Sequence, residues 1–196
     1  GVAGQAEYVE VASNRLLDTR LGAGTKIPGG TTIHQQVVGT VVPPNARSVV
    51  LNVTVTDPDH NGYLTVFPGG GSQPATSNLN YLAGQTIPNA VITKLGAGGK
   101  VCLFANSGTH LIADVNGYFP ATSSYAALNP GRLLDTRTDP GASTIDGQGL
   151  GHGIVAGGTE IELQVAGRAG VPANATAAVL NVTVTGTQGN GYVTSR

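Results

Sequence analysis

The segment "SVVLNVTVTD", residues 48–57, decides the fold class of this chain. Its odd-numbered positions are aliphatic up to the closing Asp, namely Val49, Leu51, Val53 and Val55. Its even-numbered positions after the opening Ser are Val50, Asn52, Thr54 and Thr56, of which the last three are polar. Side chains alternate between the two faces of a β-strand, so this pattern predicts a strand that buries one face and turns the other outward.

Further segments of the same kind lie along the chain. Four of them are short, rich in β-branched residues and bounded by Gly, Pro or Asn: "TIHQQVVG", "NAVITKLG", "KVCLFANS" and "THLIADVNGYF". The 30 glycines and 11 prolines interrupt the chain every few residues, which is typical of many tight turns. The sequence therefore predicts an all-β fold of antiparallel β-sandwich or jelly-roll-like modules, with no substantial helix.

The chain also repeats itself. "RLLDTR" begins at residue 15 and again at residue 132, "VVLNVTVT" (49–56) returns as "AVLNVTVT" (178–185), and "NGYLT" (61–65) returns as "NGYVT" (190–194). We therefore expect residues 1–121 to form a first complete repeat, a β-sandwich of about eight strands. Residues 122–196 would hold only the first half of a second repeat, with strands at "LLDTR", "TEIELQVAG" and "AAVLNVTVTG".

Composition excludes several classes of partner. Charged residues make up 11% of the chain, the net charge is −1 and no run of basic residues occurs, which argues against binding nucleic acid. No apolar run approaches 18 residues, so we predict no membrane insertion. The absence of Met predicts a processed chain, and low charge with Thr-, Asn- and Gly-rich strands favours a secreted or cell-surface location.

The series "RLLDTR … VVLNVTVT … GYLTV … SNLNY … AGQTIPNAVITK … ADVNGYF" resembles a repeat of secreted and surface proteins from actinobacteria and their relatives. That repeat often lies beside peptidase or amidase domains or in tandem arrays, and it has no established biochemical activity. Members often read Tyr-Pro-Cys-Gly where this chain reads "FPGG" (67–70), with Gly69 in place of the cysteine. The resemblance pairs that cysteine with the one at Cys102, so it implies a lone, buried thiol here.

The repeated hexapeptide carries the most distinctive charges in the chain. In a strand, Asp18 and Arg20 share one face, and the second copy repeats the arrangement. We predict structural ion pairs among the six charged residues of the two copies: Arg15, Asp18, Arg20, Arg132, Asp135 and Arg137. The alternative is that Arg20 and Arg137 grip the carboxylate or phosphate of a ligand.

The loop "DPDHNG" (57–62) imitates the start of a calcium-binding loop, with Asp57, Asp59 and Asn61 at alternate positions. No acidic residue closes the loop, because its twelfth position is Pro68, and the second copy reads "GTQGNG". A hairpin turn that ends in Asn-Gly is therefore the preferred interpretation, and calcium is the weaker one. The four histidines are not at metal-ligand spacings, so we predict no metal and no cofactor.

Four tyrosines are candidates for a face on which sugars stack: Tyr63, Tyr81, Tyr118 and Tyr192. The preferred interpretation is that these rings cap the core near strand ends and keep their hydroxyl groups in water.

The sequence contains no nucleophile with a recurring base, no phosphate-binding loop and no His/Cys cluster, so we predict that the protein is not an enzyme. The predicted function is a noncatalytic extracellular structural or attachment module, which binds carbohydrate or assembles with itself. Its expected partners are a polysaccharide or cell-wall glycan and, through the incomplete repeat, further copies in an oligomer or fibre. The alternatives are an accessory domain that targets a secreted hydrolase to its substrate or, less favoured, a hydrolase itself.

Overall fold

The computed structural model describes residues 7–194. The chain divides into two compact units, residues 1–131 and residues 132–196. The first unit contains eight strands: β1 (Val9–Asp18), β2 (Thr31–Gln36), β3 (Ala46–Thr56), β4 (Gly62–Pro68), β5 (Leu79–Tyr81), β6 (Ile87–Lys94), β7 (Lys100–Ala105) and β8 (His110–Pro120). A 3-10 turn at Ala97–Gly99 is the one helical element among the described residues.

The eight strands form two antiparallel four-stranded sheets, in the orders β1-β8-β3-β6 and β2-β7-β4-β5. Strand β3 is internal to its sheet, since Leu51 lies opposite Val91 of β6 on one side and Val115 of β8 on the other. An internal strand has the backbone groups of both its edges paired, so β3 can be buried without leaving N–H or C=O groups unsatisfied.

The core lies between the two sheets. The four aliphatic side chains that the sequence assigned to one face of β3 are all fully buried: Val49, Leu51, Val53 and Val55. They belong to one cluster with Leu64 and Val66 of β4, and with Leu103 of β7, from the opposite sheet. The prediction of an all-β, sandwich-like fold is confirmed.

The second unit differs from what its sequence predicts. None of its described residues, 132–194, lies in a strand, and the strands expected at "LLDTR", "TEIELQVAG" and "AAVLNVTVTG" are not formed. Among residues 132–194, regular pairing is limited to one isolated bridge between Asp135 and Leu150. The physical reason is that a strand needs hydrogen-bonding partners, and no segment of residues 122–196 matches β6 or β8 in sequence.

Candidate functional site

The first hexapeptide forms a compact ion-pair network at the end of β1. The carboxylate of Asp18 accepts hydrogen bonds from Arg15 Nη1 at 3.0 Å, from Arg20 Nε at 2.9 Å and from Arg20 Nη2 at 2.7 Å. The backbone N–H of Arg20 adds a fourth bond, at 3.1 Å. The Asp18 side chain is 2% exposed. The hydrogen bonds from Arg20 hold the pKa of Asp18 well below its usual range, although burial alone would raise it.

Arg15 extends this network to the neighbouring strand. Its Nε donates to Asp114 Oδ1 at 2.8 Å, and Asp114 lies directly opposite Arg15 where β1 pairs with β8. One guanidinium therefore contacts carboxylates on two strands. Because it ties the end of β1 to β8, this network stabilises the edge of the sheet.

The second hexapeptide builds the same network without a strand around it. Asp135 accepts hydrogen bonds from Arg132 Nη1 at 2.8 Å, from Arg137 Nε at 2.9 Å and from Arg137 Nη2 at 2.8 Å. The bonds from Arg137 again hold the pKa of Asp135 far below its usual range. The geometry is thus a local property of Arg-Leu-Leu-Asp-Thr-Arg. In both copies the second arginine already holds an internal carboxylate, and a ligand at Arg20 or Arg137 stays a prediction.

The loop after β3 does not have the geometry of a hairpin. It carries the chain from β3 in one sheet to β4 in the other, so the hairpin interpretation is wrong. The ammonium group of Lys26 lies 2.9 Å from Asp57 Oδ2 and 2.8 Å from Asp59 Oδ1. Asn61 Oδ1 accepts a hydrogen bond from the backbone of Ala83 at 2.9 Å. A lysine therefore stands where the calcium interpretation would place a cation.

A search of the described residues finds no group of three or more His, Cys, Asp or Glu side chains that could hold a metal ion. Within the same residues, none of the helical segments has the length and apolar character needed to cross a membrane.

The three candidate tyrosines of the first unit do not share one face. Tyr81 is buried in the core, Tyr118 of the opposite sheet packs against the core, and the ring of Tyr63 lies 6.0 Å from that of Phe104. Tyr192 belongs to the second unit and is 91% exposed. Tyr118 agrees with packing at the margin of the core, whereas Tyr81 is 3% exposed and its hydroxyl donates to the carbonyl of Tyr63 at 3.4 Å, so that hydroxyl is not in water.

The first unit does contain a cluster of aromatic rings, which the sequence analysis missed. The ring centroids of Tyr8 and Phe119 are 5.4 Å apart, and those of Phe119 and Tyr125 are 4.4 Å apart. We call Tyr8, Phe119 and Tyr125 the aromatic cluster. Tyr8 packs directly over Gly117, where a Cβ atom would collide with its ring. A signal was available, because Tyr8 and Tyr125 each stand seven residues before a copy of the hexapeptide.

Cys102 is a free, buried thiol, as the resemblance implies. Its Sγ lies 3.2 Å from Nδ1 of His34, on the face of the sheet that is turned away from the core. The two residues are opposite each other in the pairing of β2 with β7. Sequence reasoning missed this contact, because strand register and not sequence spacing brings the two side chains together.

Neither the protein-family models nor the curated proteins with which we compared the chain give a match.

Proposed function

We propose that this chain is a noncatalytic structural or attachment module of the cell exterior, whose copies join by sharing β-strands. The observation that carries the proposal is one sequence in two environments. "VLNVTVT" belongs to an internal strand of the first unit, with Leu51, Val53 and Val55 fully buried, and it is an exposed segment of the second unit. Val53 is 0% exposed, whereas its counterpart in the second copy, Val182, is 63% exposed.

The exposed segment, residues 178–185, meets the requirements of the β3 position. Its last seven residues are identical to residues 50–56 of β3, so it offers the same apolar face and the same backbone register. In the first unit that position lies between β6 and β8. A β6–β8 pair that accommodates residues 50–56 would therefore make the same contacts with residues 179–185.

Within residues 1–196 the sequences of β6 and β8 occur once, in the first unit, where β3 already pairs with both strands. The exposed segment of one copy therefore competes with β3 of another copy for the same place. Exchange of equivalent elements costs little in contact energy, so copies can swap strands. Because the donor segment and the acceptor strands are different parts of the chain, the contact is head-to-tail and propagates as a ring or fibre.

The location outside the cell is supported by other features. The chain resembles repeats of secreted and surface proteins, its charged fraction is 11%, and its strands are rich in Thr and Asn. A head-to-tail assembly of small sandwiches would serve as a spacer or a coat, which is what an attachment module needs.

Light scattering coupled to size-exclusion chromatography tests the assembly. The wild-type protein should show a mass that rises above 19.6 kDa as its concentration increases. Val182→Lys should remain at the monomer mass, because a charge would have to enter the core of the acceptor. Thr183→Lys is the matched control, since its counterpart Thr54 belongs to the outer face, and it should assemble like wild type. A wild-type monomer at every concentration would refute strand sharing.

Glycan attachment is a second candidate, and the aromatic cluster favours it. Tyr8 is 44% exposed, and aromatic faces are surfaces on which sugars stack. In a pull-down with insoluble cell-wall polysaccharide, Tyr8→Ala should lose binding, whereas Tyr192→Ala in the second unit should retain it. Equal retention of both variants would remove the aromatic cluster from consideration.

A further inference from the structure

The segment of the second unit that matches β2 keeps the backbone geometry found at both ends of β2. "GGTEIELQVAG" (157–167) and "GGTTIHQQVVG" (29–39) are identical at seven of eleven positions. The glycine before each segment has nearly the same φ, 76° at Gly30 and 77° at Gly158. The glycine that closes each segment is also left-handed, with φ of 90° at Gly39 and 83° at Gly167. The chain therefore enters and leaves this segment in the same way in both units.

The turns that follow the two segments also have the same hydrogen bonds. The N–H of Gly39 donates to the carbonyl of Val42 at 3.0 Å, and the N–H of Gly167 donates to the carbonyl of Val171 at 2.8 Å. Two further turn bonds of the first unit recur in the second: Thr40 to Val37 and Ala46 to Pro43 recur as Arg168 to Val165 and Ala175 to Pro172. The connection between the β2-like and β3-like segments is therefore already formed in the second unit, although neither segment is a strand there.

In the first unit this connection crosses from one sheet to the other. Strand β2 pairs with β7, whereas β3 pairs with β6 and β8 of the opposite sheet. Nine residues, 37–45, separate the two strands, and Val37 and Val42 among them are fully buried. Because so short a connection is held in the core at two points, β3 cannot leave its sheet without disturbing β2. An exchange of β3 between copies therefore involves β2 as well.

The second unit offers a replacement for both strands and for their connection. We call residues 159–185 the donor arm. Its Val165 and Val171 match the two buried valines of the connection. Its Ile161 is 39% exposed, whereas the matching Ile33 of β2 packs against the core. Strand β2 lies at the edge of its sheet and pairs with one neighbour, so replacing it breaks one set of strand hydrogen bonds and not two.

We infer that the donor arm enters both sheets of a second copy of this chain. Residues 179–185 take the place of β3, and residues 159–164 pair with β7 in the place of β2. Within residues 1–196 the sequence of β7 occurs once, in the first unit, where β2 already pairs with it. The inference rests on the proposed strand sharing and adds a second contact to it, in the other sheet. Because the turns of the arm are already formed, docking costs less conformational entropy.

Strand register places the single cysteine of the chain at this second contact. Cys102 of β7 lies opposite His34 of β2, and its Sγ is 3.2 Å from His34 Nδ1. The residue of the donor arm that matches His34 is Glu162. Residues directly opposite each other in antiparallel strands have Cα atoms about 4.5–5.5 Å apart, which lies within the roughly 4.4–6.8 Å of disulfides. A thiol introduced at position 162 therefore meets Cys102 where the arm pairs with β7.

Oxidation of Glu162→Cys with diamide, at a concentration where the wild-type protein associates, tests the contact on a non-reducing gel. Each chain then has one thiol in its donor arm and Cys102 in its acceptor strand, so we expect disulfide-linked dimers, trimers and longer chains. Glu162→Cys/Cys102→Ser has one thiol per chain and should stop at the dimer. Ile161→Cys is the matched control, since the side chain of Ile33 is turned toward the core and away from Cys102, and it should also stop at the dimer.

A second measurement needs no introduced thiol. Ile161→Ser removes the apolar side chain that the arm would place against the acceptor core, so the concentration at which assembly begins should rise roughly tenfold. Glu162→Ser changes the neighbouring residue, whose counterpart His34 is exposed, and assembly should begin at the wild-type concentration. Light scattering coupled to size-exclusion chromatography measures both variants. Equal onset in Ile161→Ser and wild type would contradict the burial of Ile161 in the acceptor.

The gel and the mass measurement together separate this inference from the proposed function. If the wild-type protein assembles and oxidised Glu162→Cys gives no species above the dimer, pairing with β7 is refuted and sharing at the β3 position stands. A disulfide within single chains would show that the arm docks on its own first unit, which overturns the second copy as the partner. A wild-type protein that stays monomeric refutes strand sharing, and this inference falls with it.

Discussion

Residues 50–56 and residues 179–185 have the same sequence and different structures. The first set lies in β3, between two strands, with Leu51, Val53 and Val55 in the core. The second set forms no strand, and Val182 and Val184 are exposed. Intrinsic propensity is identical in the two places, so the difference measures what neighbours contribute. A strand with an apolar face is stable where partner strands and an opposite sheet complete it.

The largest expected effect comes from the same substitution at the two equivalent valines. Val53→Lys places a charge in the core and should abolish the cooperative melting transition of the first unit. Val182 is exposed to solvent in the monomer, so Val182→Lys should leave the melting temperature of that transition within about 2 °C of wild type. Scanning calorimetry on dilute samples measures both. A loss of the transition in both variants would mean that the second segment is already built into a core.

The two hexapeptides give the next comparison. Asp18→Asn leaves Arg15 and Arg20 without their shared carboxylate beside β8, so we expect the melting temperature of the first unit to fall by roughly 5–10 °C. Asp135→Asn breaks an equivalent network in the second unit and should not shift that transition. Asp18→Asn with an unchanged melting temperature would show that the first network does not stabilise the sheet.

The two units should also differ in how they respond to low pH. The pKa of Asp18 is lowered by folding, so its contribution to stability is complete above the unfolded value near 4 and is lost as pH falls through the lower folded value. Wild type should therefore lose stability progressively below about pH 4, and the slope should be shallower in Asp18→Asn. In the second unit, Asp146 should titrate with a pKa of about 2, because Arg168 holds its carboxylate. Chemical denaturation at several pH values and side-chain carboxyl resonances provide the two measurements.

The smallest effect concerns Cys102, which reports on the first unit alone. Labelling of this buried thiol should be slow in the native protein and fast in denaturant. Because Val182 lies in the other unit, Val182→Lys should not change the native labelling rate. Rapid labelling of the native wild-type protein would contradict the burial of Cys102, and a faster rate in Val182→Lys would show that the two units are coupled.

Sequence patterns predicted those features that depend on near neighbours in the chain. The alternation in residues 48–57 identified a strand and the face that it buries. The ion pairs of both hexapeptides follow from spacing within six residues, and they form whether or not a strand surrounds them. The loop after β3 illustrates the limit, because its Asn-Gly sequence is typical of a hairpin and yet its flanking strands belong to different sheets.

Periodicity and short-range geometry act on residues close together in the chain, so the fold class, the repeat and the local charge networks can be read from the sequence. Which strands are neighbours depends on contacts between residues far apart in the chain, and only the folded structure shows it. It placed His34 against Cys102 and packed Tyr8 and Tyr125 around Phe119. It also left residues 179–185 without a sheet. Strand pairing satisfies backbone groups through residues distant in sequence, and so the same seven residues become a core strand only where their partners are present.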